Sequence, residues 1–168
     1  MALQTSRTEP LTGLPNRRHI LEQLDGALAG REATDAGFCI AVIDIDHFKA
    51  INDTHGHDAG DAALRQFADT CRKQVRVQDV LGRMGGEEFL LILPGAGHDE
   101  AIRIIDRIRD GFPSARWDGI DLSYTFSAGI AESLPGDDRS SILRRADRAL
   151  YAAKGEARNC TRIDLAAE

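Results

Sequence analysis

Four acids in two short stretches are the first candidates for chemistry in this 168-residue chain. Asp44 and Asp46 close "FCIAVIDID", whose continuous apolar run from Phe38 to Asp44 reads as a buried central strand, where a charge needs a partner. Glu87 and Glu88 sit in "RMGGEEF", Arg83 to Phe89, between two apolar runs. Gly85 and Gly86 suit a tight hairpin, yet a turn has no structural use for two adjacent carboxylates. If the hairpin packs beside the Phe38–Asp44 strand, three or four carboxylates converge at one edge of the sheet. Their repulsion calls for a divalent cation, and hard oxygen ligands select Mg²⁺, with waters and phosphate oxygens completing its shell. Any one of these acids alone reads as a solvated loop charge. The set favours a site.

"NDTHGHDAGD", Asn52 to Asp61, is dense in groups able to read a ligand. Asn52 offers a donor and an acceptor. Asp61 offers a bidentate acceptor that suits the adjacent N1–H and N2–H₂ donors of guanine and not adenine. Two other readings stand beside this one. His55, His57, Asp58 and Asp61 could form a metal-dependent phosphohydrolase cluster, although no distant histidine lies on a matching helix. Asp61 could also be the N-cap of the helix it precedes, and capping is compatible with base reading. "RVQD", Arg76 to Asp79, reads by itself as an i,i+3 ion pair at a helix end, worth a few tenths of a kcal/mol.

Elements must bring these groups together. Asn16 is a plausible N-cap for a helix reaching about Leu28. "HFKAIND" gives one short helical turn, and Leu64, Phe67, Ala68, Cys71 and Val75 recur at helical spacing, predicting a helix from Asp61 to Val75. Asp79–Met84 and Glu87–Leu93 form strands around the Gly85–Gly86 turn. A further helix runs from His98 to Asp110. "DLSYTFSAGIAES" alternates as a strand does, a helix starts at Ser140 or Ser141, and "NCTRIDL" ends the chain as an edge strand. This order predicts an α/β (α+β) fold, a central mixed five-stranded sheet flanked by helices; the hairpin excludes an all-parallel sheet.

Hydrophobic residues make up 42% and charged residues 29%, the mix of a soluble globular domain. No apolar run approaches the roughly 20 residues that span a bilayer, and the polar N-terminus is no signal peptide. Cys39, Cys71 and Cys160 are scattered, with no CxxC pair, and read as small buried residues in a reducing cytoplasm. The formal net charge of −6 argues against nucleic-acid binding, so an anionic ligand must be held by a few local cations or a metal.

"LTGLPNRR", "DIDHFKAINDTHGHDAGD", "RMGGEEF", "FSAGIAES" and "ADRALYAAK" follow one another in an order and spacing that resembles the GGDEF family, the diguanylate cyclases. The resemblance runs from about Glu9 to Asp164. It implies a palm-like fold similar to class III nucleotide cyclases, and condensation of two GTP into cyclic di-GMP and two pyrophosphates. By similarity, Asp44, Glu87 and the Ile45 carbonyl hold Mg²⁺, for which Mn²⁺ can substitute. Glu88 resembles the acid that helps activate the 3′-hydroxyl. Asn52 and Asp61 match guanine-reading positions, with Phe48, His57, Gly85 and Gly86 beside the nucleotide. Lys49, Lys154 and Arg158 match triphosphate-facing cations. Arg76 and Asp79 match an inhibitory RxxD site for cyclic di-GMP, with Arg107 a secondary arginine of that site.

Each subunit would hold one GTP, so the resemblance implies an antiparallel homodimer with half a site on each partner. Residues 1–8 are expected to be a linker remnant and 9–165 the catalytic domain, with an upstream sensory module removed. The alternative is an inactive GTP or cyclic di-GMP receptor. Three departures from the family pattern stand out: Glu9 as the acid before "LTGLPNRR", Met84 before the glycine pair, and Ala157 where the family has glycine. If position 157 needs positive φ, alanine there would distort the approach of Arg158.

Overall fold

A computed structural model describes residues 6–111 and 115–165. The elements run α1 (Arg17–Thr34), β1 (Phe38–Ile45), α2 (Phe48–His55), α3 (His57–Gln74), β2 (Val80–Gly85), β3 (Glu88–Pro94) and α4 (His98–Asp110). They continue with β4 (Ala115–Trp117), β5 (Ile120–Leu122), β6 (Phe126–Glu132), α5 (Arg139–Glu156) and β7 (Thr161–Ile163). The main sheet has five strands in the order β2-β3-β1-β6-β7. All neighbours are antiparallel except β6 and β7, which α5 joins as a parallel crossover. The expected mixed sheet is therefore present, with β7 at its edge.

β1 is central because both of its faces are apolar. Cys39, Ala41, Ile43 and Ile45 point into a core shared with α3 and α4. Ile40 and Val42 point into a second core with Ile20, Leu24 and Leu28 of α1 and Ile142, Ala146 and Leu150 of α5. A strand buried on both faces reads as a continuous hydrophobic run rather than an alternating one. In the first core Phe67 lies 4.7 Å from Phe89 and 5.5 Å from Phe126 between ring centroids, so α3 is keyed to β3 and β6. Cys39 and Cys71 are buried in the same core, and all three cysteines are free thiols. Among the described residues no helix is long and apolar enough to cross a membrane.

Several boundaries differ from the sequence reading. α1 continues to Thr34, where Asp35 at φ 59° ends it in the left-handed region. α2 has eight residues rather than a single turn. α3 begins at His57 with Gly56 as its N-cap, so Asp61 is inside the helix and does not cap it. α5 is capped by Asp138, whose side chain accepts from the Ser141 N–H while Ser141 reaches back, a reciprocal capping box. "DLSYTFSAGIAES" is two strands: β5 pairs with β4 through Asp118 and Gly119, both at positive φ, which is the signature of a tight primed hairpin turn. The Asp-Gly pair in "WDGI" carries that signal in the sequence.

One close approach fixes α5 on the sheet. A Cβ at Gly129 of β6 would lie 2.2 Å from the Ala146 carbonyl oxygen and 2.3 Å from the Leu150 nitrogen. Because both obstacles are backbone, Gly129→Ala must push α5 off the sheet, at a cost of about 2–3 kcal/mol. A fall in the urea midpoint is the expected outcome; an unchanged midpoint would show that the contact is not tight.

Candidate active site

The register of the central strands places the acids. Asp44 is directly opposite Glu88 on β3 and Ser127 on β6. The β2–β3 turn closes onto the end of β1, where the Ile45 N–H donates to the Glu87 carbonyl at 3.2 Å. That turn needs its glycines for conformation: Gly85 has φ 148° and Gly86 φ 50°, and a Cβ on either would meet open space. From α5, the Lys154 ammonium lies 2.8 Å from Asp44 Oδ2. The other oxygen, Asp44 Oδ1, is buried and has no hydrogen-bond partner.

Burial pushes the Asp44 carboxyl up; Lys154 opposes this, while Glu87 and Asp46 add to it. Glu88 is likewise raised by burial, then by Asp147 and Asp44, against Arg17 and Lys154. Asp147 is itself raised by burial. It is an acid of this site that the sequence reading left out. Its signal was available: it lies two helical turns before Lys154 on α5, hence on the same face.

Asp46 bears on Asp44, but its oxygens are committed to neighbours within the fold. It accepts from Thr125 Oγ1 (2.6 Å), Ser127 Oγ (2.7 Å) and the Asn159 N–H (2.9 Å), so its charge is spent on tying β1 to β6 and to the turn after α5. Among the described residues no three His, Cys, Asp or Glu side chains gather as a metal cage, and this includes His55, His57, Asp58 and Asp61. Asp44 Oδ1 remains the atom at this edge that most needs a donor or cation.

A second unsatisfied acceptor lies between α2 and α3. Asn52 Oδ1 is buried without a partner. A Cβ at Gly60 would fall 1.9 Å from that oxygen and 3.0 Å from Phe48 Cζ, so Gly60 lets the two helices close around Asn52. Gly60 is a further residue that the sequence reading missed; only the contact across the helices identifies it. Asp61 follows it, half-buried, while His57 and Lys49 are exposed on α3 and α2. A cleft of about 470 Å³ opens elsewhere along α2, lined in part by His47, His55 and Asp121 and by neither Asp44 nor Glu88. Charge and orphaned acceptors, rather than this cleft, mark the candidate site.

After α5, Ala157 has φ −151°, so this position does not need the positive φ that would require glycine. Positive φ falls instead on Arg158 (55°) and Asn159 (44°). Arg158 is exposed.

Arg76 and Asp79 do form the i,i+3 pair, and a more buried one than a surface pair. The Asp79 side chain is 0% exposed. It accepts from the Arg76 backbone N–H (2.7 Å) and from Nη2 (2.8 Å), while Nη2 also donates to the Pro94 carbonyl (2.9 Å). Arg103, Arg76 and Arg107 all lower the pKa of the exposed Glu100, which places three guanidinium groups in one patch. Arg107 Nη2 donates to the Gln74 carbonyl at 3.1 Å.

The lead-in reaches the acidic turn as well. Arg83 Nη1 donates to Glu9 Oε1 at 2.6 Å, and Arg83 Nε donates to the Gly86 carbonyl at 3.0 Å. Burial raises the Glu9 carboxyl, but hydrogen bonds from Thr12 and Leu11 and the charge of Arg83 outweigh it and hold it low. Met84, at the position before the glycines, is buried in the α1/α5 core.

Comparison with known proteins agrees with this geometry. Residues 6–160 match the family model described as "Diguanylate cyclase, GGDEF domain". The chain is 39% identical over 165 residues to diguanylate cyclase DgcP of Pseudomonas aeruginosa, covering 97% of this chain and 24% of that protein. It is 42% identical over 165 residues to the response regulator PleD of Caulobacter vibrioides, covering 94% of this chain and 36% of that one. It thus spans between a quarter and a third or so of these relatives. Among solved structures, the GGDEF domain of DgcB from Caulobacter crescentus in complex with c-di-GMP superimposes with TM-score 0.91 at 36% identity, covering 99% of this chain and 97% of that one. The active GGEEF domain of a diguanylate cyclase from Vibrio cholerae gives 0.83 at 32% identity, covering 90% and 98%. The chain belongs to the GGDEF family of diguanylate cyclase domains.

Proposed function

We propose that this domain condenses two GTP molecules into cyclic di-GMP at a homodimer interface, each protomer holding one nucleotide. The observation that carries the reading is the pairing of Asp44 with Glu88 beside the Lys154 ammonium, with Asp44 Oδ1 left without a donor. Asp44, Glu87 and the Ile45 carbonyl would hold Mg²⁺ or Mn²⁺. A bound divalent ion there would neutralise triphosphate charge and favour the ionised 3′-hydroxyl. The protein groups do the rest. Asn52 and Asp61 orient guanine, with Phe48 and His57 nearby. Gly85 and Gly86 leave space for the nucleotide, and Lys49, Lys154 and Arg158 bind the phosphates. Glu88 accepts the proton of the 3′-hydroxyl as its oxygen attacks the α-phosphate in line. The new P–O bond forms while the bond to the β-phosphate breaks and pyrophosphate leaves. The facing protomer repeats the step in the opposite sense and closes the ring.

Arg76, Asp79 and Arg107 are proposed as the site at which product restrains the enzyme, a role supported by three arginines around one exposed acid. Residues 9–165 are proposed as the catalytic unit and 1–8 as linker to an input module, acting in the cytoplasm.

With GTP and Mg²⁺ the domain should release pyrophosphate and form cyclic di-GMP, and Glu88→Gln should lower kcat by about 10²-fold or more. Tight GTP binding by verified dimers without turnover would support the receptor reading instead. Gly60→Ala, which displaces Asn52, should raise KM for GTP about 10-fold with a smaller change in kcat; an unchanged KM would remove Asn52 from the base site. Arg107→Ala should weaken product inhibition and leave the initial rate intact. It is a cleaner probe than Arg76→Ala, which also strands the buried Asp79 carboxylate and should lower Tm. Undiminished inhibition in both variants would return the patch to a structural role.

The raised Glu88 carboxyl has a consequence for stability. The folded state holds that proton more tightly than the unfolded chain, whose reference value is 4.5. Below 4.5 both states are protonated and no penalty exists; as pH rises through the elevated folded value, stability is lost. Glu88→Gln should therefore raise Tm at pH 7, with the gap closing in acid. A lower Tm for the variant at pH 7 would contradict this.

A further inference from the structure

The turn after α5 holds two successive residues with side chains at positive φ, Arg158 and Asn159, a conformation that needs outside support. Asn159 is gripped from both sides. Its backbone N–H donates to Asp46 Oδ2 at 2.9 Å, and its side-chain Oδ1 accepts from Arg109 Nη1 of α4 at 2.8 Å. Arg109 is locked in turn. Nη1 also donates to the Phe126 carbonyl (2.7 Å) and Nη2 to Thr161 Oγ1 (2.8 Å), while the guanidinium lies 4.2 Å from the centroid of the Phe126 ring. All three of its acceptors are neutral, so this half-buried cation is placed by geometry rather than by an ion pair. The anchors lie on rigid elements. Phe126 opens β6 opposite Ile45, and Asp46 follows the strand that carries Asp44.

We propose that Arg109 and Asn159 are positioning residues for triphosphate binding. Arg109, through Asn159, holds the 157–160 turn so that Arg158 is presented to the phosphates on the same side as Lys154. The inference rests on the GTP reading above and extends it to residues that touch no substrate. A planar fork serving three acceptors at once explains why arginine is required, since lysine presents its donors from a single nitrogen. It also predicts a split by ligand. The guanine-reading groups lie on α2 and α3, and neither Asn52 nor Asp61 is among the partners of the clamp. Loss of the clamp should therefore weaken a nucleoside triphosphate and spare a ligand that lacks the outer phosphates.

The test is equilibrium binding of 3′-deoxy-GTP, which lacks the nucleophile and cannot condense, alongside GMP, each with Mg²⁺. Asn159→Gly keeps the left-handed backbone and deletes only the side-chain acceptor; Arg109→Met keeps the stem and deletes the fork. Both should weaken 3′-deoxy-GTP about 5- to 10-fold, with GMP changed less than about twofold. Arg109→Lys should rescue poorly. Adding Arg109→Met to Arg158→Ala should produce little further loss, since the clamp acts through Arg158. Equal weakening of both ligands would show a general structural role, and unchanged 3′-deoxy-GTP affinity would show no role; either overturns the proposal. Failure of the unaltered chain to bind 3′-deoxy-GTP would reject the GTP reading itself, and the proposal with it.

Discussion

The ion pair between Lys154 and Asp44, with Arg17 acting on Glu88, holds the acidic edge of this sheet together. Lys154 lies 2.8 Å from Asp44, and Asp44, Glu87, Glu88 and Asp147 all bear on one small region. Two like charges about 4 Å apart near a protein surface repel by roughly 4 kcal/mol, so Lys154 and Arg17 do not balance the four acids. Burial raises the carboxyls of Asp44, Glu88 and Asp147, and neighbouring acids add to the rise at Asp44 and Glu88. A fold selected only for stability would replace one of these acids. Acids gathered at the adjoining ends of β1 and β3 and on the facing turn of α5 are the pattern of a site that trades stability for binding.

The rest of the molecule serves that edge. β1 can end in acid because its apolar body is clamped between β3 and β6 and covered on both faces. α5 delivers Lys154 because Gly129 lets the helix backbone rest on β6. Gly60 lets α2 and α3 close with Asn52 between them. Among the described residues, six buried side-chain atoms lack a hydrogen-bond partner, and two of them, Asp44 Oδ1 and Asn52 Oδ1, fall at positions the family resemblance assigns to cation and base. Unsatisfied acceptors at both ends of a would-be nucleotide agree with a ligand that supplies donors at one end and positive charge at the other.

Much of this was legible in the residues themselves, for definite physical reasons. The Phe38–Asp44 run reads as a buried strand because it is continuously apolar and short, and the Gly85–Gly86 pair reads as a turn because it interrupts two apolar runs. Helical faces such as Ala101, Ile104, Ile105 and Ile108 show their period plainly. The start of α3 was misplaced because Gly56 caps it without a side-chain hydrogen bond and so leaves no polar signature. Asp46 looked equivalent to Asp44 because the strand pattern records position and not which hydroxyls a carboxylate meets. Gly60 and Arg109 were invisible for a deeper reason. Their partners, Asn52 and Asn159, are chosen by packing between elements, and no local period encodes that.

In the proposed reaction this chain is one half of a reaction centre, completed by a second copy. This is tested most directly by the initial rate of pyrophosphate release from GTP and Mg²⁺ as a function of protein concentration, with molecular mass measured at each point. Specific activity is predicted to rise across the range in which monomer becomes dimer, with cyclic di-GMP as the product. A constant specific activity from a chain that remains monomeric, or dimers that release no pyrophosphate, would contradict it.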